Sequence, residues 1–144
     1  MTGAAEPLDV IVLYDGVQSV AVRLLSPTPQ CGYYDAEIVI RSDFVNAAVR
    51  TGFNSDDLDD WAALLEAVEE SDTEAGETDD VFAGNWPSEG RTAYLTFIAE
   101  DPYVVEVHDA PSTRISVRVP IDLKAGWLDA ARERLGAVRK VLGV

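Results

Sequence analysis

AEIVIRSDFVNAAVRTGFNSDDLDDWAALLEAV, residues 36–68, changes its rhythm part-way along. In AEIVIR (36–41) Ile38 and Ile40 fall on one side, with Glu37 and Arg41 on the other. That period of two is the mark of a half-buried strand. FVNAAVRTGF (44–53) predicts a second strand, joined to the first through Ser42 and Asp43, residue types that suit a hairpin turn. From Asn54 the period lengthens. Leu58, Trp61, Leu64, Leu65 and Val68 recur at steps of three and four, the apolar stripe of a helix. Asn54 or Ser55 can cap that helix, and Asp56 and Asp57 stand in its first turn, where the dipole favours anions. Strands that run directly into a helix set the class as α+β.

Working outward, LDVIVLYD (8–15) and QSVAVRLLS (18–26) predict two more strands around Gly16, which can supply a positive φ for a tight turn. Downstream, TAYLTFIAE (92–100), YVVEVHD (103–109) and TRISVRVP (113–120) predict three strands. In the last, Ile115, Val117 and Val119 alternate with Arg114, Ser116 and Arg118, the pattern of a sheet with one wet face. Asp122 precedes a closing helix whose buried side carries Trp127, Leu128, Ala131, Leu135, Val138 and Leu142. The expected order is β-β-β-β-α-β-β-β-α. The expected fold is one antiparallel sheet of six or seven strands with two helices packed on one face. No repeat in the sequence relates the halves; they share only the order of their elements. The chain of 144 residues is expected to form a single domain, 1–144. Residues 71–91 are expected to form an acidic, flexible loop.

Charge is unevenly placed. The net charge is -15. Residues 1–54 hold six acids and three bases, residues 55–100 fourteen acids and one base, and residues 101–144 six acids and seven bases. The imbalance therefore sits in the middle third, and within it residues 55–80 carry twelve carboxylates and no base. Such a field repels nucleic-acid phosphates and anionic lipid, and attracts basic proteins. No run of 18 apolar residues is present to cross a membrane. The opening MTGAAEPLD lacks the basic and apolar segments of a secretory signal, so a cytoplasmic location is expected. A single cysteine, Cys31, fits that compartment.

The run DAEIVIRSDFVNAAVRTGFNSDDLDDWAALLEAV, with ISVRVPIDLKAGWLDAARERLGAVRKVL later, resembles an uncharacterised bacterial domain family over roughly residues 8–142. The layout is also similar, more loosely, to immunity proteins paired with wall-associated-protein toxins. In those a strand pair enters a helix through a Ser/Thr-x-x-Asp-Leu-type motif. Here Ser55-Asp56-Asp57-Leu58 stands at that entry, displaced by one residue. The second resemblance implies a basic toxin domain as partner.

Catalytic signatures are missing from the sequence. The one histidine, His108, ends a predicted strand between Glu106 and Asp109, a position that is usually structural. Cys31 has no basic neighbour to activate it. No nucleophile elbow, phosphate loop or dinucleotide fingerprint occurs. Counted from Asp72, the acidic loop fails the calcium-hand pattern, because Gly76 falls at the fifth position where an oxygen donor is required. No catalytic residue, metal site or cofactor is expected.

The acidic run itself then becomes the candidate site. Asp56, Asp57, Asp59, Asp60, Glu66, Glu69, Glu70, Asp72, Asp79 and Asp80 would form a docking surface for a basic protein, with Trp86 as its aromatic anchor in a Gly/Pro loop. Trp61 and Trp127, on apolar stripes, read as core. The expected function is a non-catalytic acidic interaction domain, in its sharpest form an immunity protein that neutralises a basic, nuclease-like toxin. Two alternatives stand beside it. One is a small regulatory or housekeeping domain whose acidic face serves only solubility. The other is an enzyme that works through its carboxylates.

Overall fold

The computed structural model describes residues 8–73, 81–87 and 92–144. The class is α+β, with eight strands and two helices among the described residues. Strands β1 (Leu8–Tyr14), β2 (Ser19–Leu24), β3 (Tyr34–Arg41) and β4 (Asn46–Phe53) form an antiparallel meander. Helix α1 (Ser55–Thr73) follows. Strands β5 (Ala83–Trp86), β6 (Tyr94–Ile98), β7 (Tyr103–His108) and β8 (Ser116–Ile121) form a second meander, and α2 (Trp127–Leu142) closes the fold.

Two four-stranded sheets therefore stand where one sheet of six or seven strands was expected. The order gains a strand, β5, between α1 and β6. The reason is local to each meander. Strands joined by short turns pair with their neighbours, and α1 interrupts the series between β4 and β5. Strand β8 ends its sheet, and Pro120 in it has no N–H to donate to a further strand.

The turn chemistry follows the sequence closely. Gly16 has φ +94, and the Asp15 carboxylate accepts the N–H groups of Val17 and Gln18 at 2.9 Å each. The Ser42 hydroxyl accepts from Phe44 and Val45 N–H across the β3–β4 turn. In β1 a bulge near Val10 breaks the pairing with β2, so the consecutive residues Val10 and Ile11 are both buried.

Both sheets and both helices feed one core. In the first sheet it takes Ile11, Leu13, Val20, Val22, Ile38 and Ile40; in the second, Leu95, Phe97, Val105, Val119 and Ile121. The α1 stripe Leu58, Trp61, Leu64, Leu65 and Val68 is buried throughout, as its spacing implies. From α2 only Leu135 and Val138 are fully buried, and Trp127, Leu128, Ala131 and Leu142 pack at the margin. Thr51 ties the sheets together: its hydroxyl donates to the Ala93 carbonyl at 2.7 Å inside the core. No described helix is long and apolar enough to cross a membrane.

Several boundaries moved. In β8 the inward residues are Val117, Val119 and Ile121, while Ile115 lies before the strand and is 64% exposed. Asp122 precedes the closing helix, as expected, but at a distance. Its N–H donates to Asp15 Oδ2, its carboxylate accepts from Lys124 Nζ, and α2 begins five residues later. Of the expected loop 71–91, residues 71–73 belong to α1 and 83–86 to β5.

Candidate functional site

Helix α1 begins with a reciprocal cap. Asp57 N–H donates to Asn54 Oδ1 at 2.9 Å, and Asn54 N–H donates to Asp57 Oδ2 at 2.8 Å. Two otherwise unsatisfied N–H groups are met by two side chains three residues apart, the logic of a capping box. Asp57 is buried by this task, so it is no part of a docking surface.

Trp86 is likewise removed from the surface. It ends β5, is fully buried, and donates its indole N–H to the Asp57 carbonyl at 2.6 Å. Its ring lies 5.6 Å from Phe53 and 6.3 Å from Trp61. The anchor role read from its Gly/Pro surroundings is therefore overturned. A short strand paired with β6 carries the indole inward, against the foot of α1.

Two further acids on α1 hold the helices together. Arg132 of α2 makes a two-pronged contact with Glu69, at 3.0 and 3.2 Å. Hydrogen bonding and the charge of Arg132 hold the Glu69 carboxyl below its ordinary value, and Glu69 in turn raises Arg132. Arg139 reaches Asp59 at 2.5 Å. Both pairs are exposed, so they orient α2 more than they stabilise the fold.

Four further acids of the helix, Asp56, Asp60, Glu66 and Glu70, are exposed, at spacings that place them along one outward side. The helix itself has no basic residue, even in its last turn. Glu66 sits within reach of the Arg132 charge. Asp72 lies in the last turn of α1, and Asp79 and Asp80 fall outside the described residues. Of the expected set, then, the structure brings four carboxylates together on one exposed face and assigns three others to internal contacts.

A second polar group gathers on the outward face of the second sheet, where sequence reading found only His108. The His108 Nδ1 is 2.7 Å from Ser116 Oγ, and Nε2 is 3.1 Å from Thr96 Oγ1 and 3.5 Å from Glu106. Tyr94 stacks on the imidazole at 4.6 Å. Glu106 is shared with Arg118, which also reaches Glu100. Ser116 and Thr96 lie eight and twelve residues from His108, so only strand pairing brings them together. The order hydroxyl, imidazole, carboxylate can in principle move a proton. Here, however, the hydroxyls lie beside both ring nitrogens on a strand surface, and the carboxylate is shared between His108 and Arg118. Cys31 is exposed, in a turn with φ 54. No group of three potential metal ligands is assembled among the described residues.

The whole of this framework, residues 8–143, matches the model of a family of unknown function, DUF5959. The chain belongs to that family. No curated protein and no solved structure matches it. The uncharacterised-family resemblance read from the strand–helix run is thereby shown, over nearly the span expected for it.

Proposed function

We propose that this member of the DUF5959 family is a non-catalytic interaction domain that offers the outward side of α1 to a basic protein. One observation carries the reading. Asp57, Asp59 and Glu69 are engaged by the helix cap, Arg139 and Arg132, and Asp56, Asp60, Glu66 and Glu70 are all exposed along the same helix. A helix kept free of basic residues concentrates a negative field on one side of the molecule. Such a field raises the encounter rate with a cationic surface more than it strengthens the final complex.

The sharper form of the proposal is that the partner is a toxin domain whose basic groove for nucleic acid the stripe covers. Its support is chemical complementarity, together with the similarity of the helix entry at Ser55–Leu58 to that of immunity proteins. The protein would act in the cytoplasm, where such a toxin would do harm.

The test starts with capture of partners from the native cell at low and at high salt, since screening acts over about 8 Å at physiological ionic strength. Association of the recovered partner is then followed by stopped flow. The variant Asp56→Asn, Asp60→Asn, Glu66→Gln, Glu70→Gln should associate about tenfold more slowly at low salt, with a flatter salt dependence. Equal rates for the variant and the parent chain would reduce the stripe to a solvated face.

A further inference from the structure

The inward faces of the two sheets leave a cleft of about 220 Å3 between β3–β4 and β7–β8. Ile38, Ile40 and Val49 line it from the first sheet, Val107 and Val117 from the second. It exists because β4 offers only Ala47 and Ala48 at its outer end, so that Ile115, which is exposed, lines the cleft without filling it. The cleft lies on the opposite side of the second sheet from His108, and it does not depend on the partner of α1.

Among the described residues, its one charged wall residue is Asp109, which follows β7. The loop that carries Asp109 is tightly determined. Asp109 N–H donates to the Ile115 carbonyl at 3.0 Å, and Arg114 N–H donates to the Asp109 carbonyl at 2.8 Å. Arg114 adopts φ 65, a left-handed conformation unfavourable for a residue with a Cβ, and such conformations persist only where surrounding structure enforces them. Thr113 Oγ1 donates to one oxygen of the Asp109 carboxylate at 2.8 Å. The other oxygen has no partner among the described residues. No lysine or arginine among the described residues lines the cleft. The result is an apolar recess with a fixed anion on its wall.

We propose that this cleft binds a small organic cation, a primary amine on an apolar body. Volume sets the size. An apolar protein cavity of about 150 Å3 accommodates benzene, so by that scaling the cleft takes roughly nine non-hydrogen atoms. Charge sets the sign. The ammonium would donate to the open oxygen of Asp109, a charge-assisted bond stronger than a neutral one. The apolar body would cover the exposed Ala47 and Ile115 and the half-buried Val49 and Val117. An anion of the same size would meet Asp109 and a chain of net charge -15.

The probe that matches is phenethylamine, protonated at neutral pH, compared with 2-phenylethanol and phenylacetate at equal ionic strength. Amide shifts of the full chain, followed by NMR titration, should move saturably for the amine, with Kd on the order of 1 mM or tighter. The shifting residues should lie in β3, β4, β7 and the 109–115 loop. Asp109→Asn keeps an oxygen for Thr113, and it should weaken the amine about tenfold while leaving the alcohol unchanged. Ala47→Leu, on an exposed stretch of an edge strand, should fill the recess and remove binding of both. Three results would overturn the proposal: no saturable shift with the amine, equal binding of the three probes, or amine binding that survives both substitutions.

Discussion

The two helices each follow a four-stranded meander, yet the fold holds them by different means. α1 enters through the Asn54–Asp57 cap and presses a continuous apolar stripe into the core. α2 enters through Gly126, in a left-handed conformation with no side-chain cap, and buries only Leu135 and Val138 fully. Its end is basic, with Arg139 and Lys140 in the last turn, where cations suit the dipole. α1 ends without any base, against the same preference. So α1 is anchored by packing and capping, and α2 by packing at its margin plus Arg132 and Arg139 reaching back to α1. An acidic helix can afford its charge because the apolar stripe on its other side is buried throughout.

This contrast breaks most visibly at Trp86. Trp86→Ala empties the contact among Phe53, Trp61 and the foot of α1, and should cost about 3–5 kcal/mol by denaturant unfolding. The milder pair is more informative. Trp86→Phe loses the bond to the Asp57 carbonyl, whereas Trp61→Phe removes a buried N–H that has no partner among the described residues. Trp61→Phe should therefore be the cheaper of the two, by about 1 kcal/mol. The reverse order would mean that ring packing outweighs the hydrogen bond.

A smaller effect belongs to the cap. Asn54→Ala and Asp57→Ala should each cost about 1–2 kcal/mol, and the double substitution should cost less than their sum, because each side chain bonds the other's N–H. Because Gly126 offers no side-chain cap to lose, Gly126→Asn should change stability much less than either. Asparagine tolerates the positive φ of 90 found there better than other side chains do. Strict additivity at Asn54 and Asp57, measured by the same unfolding assay, would show the two bonds to be independent.

How far the sequence foretold all this depends on whether the signal is local. The first four strands, the Gly16 and Ser42 turns, the Asn54 cap and the α1 stripe were all legible, because each is set by residues a few positions apart. Strand β5 was not. AGNW contains Gly84 and Asn85, poor strand formers, and becomes a strand by pairing with β6, nine to fifteen residues on. Reading Trp86 as a loop residue followed from that miss. Alternation in β8 revealed that one face is buried, though not that a second sheet shares the burial. The engagement of Asp59 and Glu69 was invisible for a like reason. Their partners, Arg139 and Arg132, stand 80 and 63 residues away.

Acid should separate the carboxylates that the fold uses from those it merely carries. Partial burial raises the Asp15 pKa, but the N–H groups of Gln18, Val17 and Asp122 outweigh it, and the net shift is downward from 3.8. Arg132 lowers Glu69 from 4.5. A depressed folded-state value means stability that is complete above the ordinary value and disappears as pH falls through the folded one. Stability should thus decline as pH drops below about 4.5. Asp15→Asn should flatten the lower part of that decline, since the amide oxygen does not titrate. An acid limb of unchanged slope in Asp15→Asn would place the loss elsewhere.

The smallest expected change in stability is at the outward stripe of α1. Asp56, Asp60, Glu66 and Glu70 are exposed, and they crowd like charge onto one helix face within the acidic middle third of the chain. Removing all four charges relieves repulsion along the helix and toward Glu69 and Asp59. It also removes favourable contributions: the attraction of Glu66 to Arg132, the place of Asp56 in the first turn where the dipole favours anions, and an interaction that Glu70 makes. The first effect acts over several pairs and the losses fall at exposed positions, so the thermal midpoint of the fourfold variant should stay level or rise, most clearly at low salt. Stability and binding are then separable in a single variant. A chain that folds as well as its parent but associates more slowly with a basic partner has lost only its field. A lowered midpoint would show instead that the stripe is bound into the fold, as Asp57 and Glu69 are, and the division of α1 into a holding side and an offered side would fail.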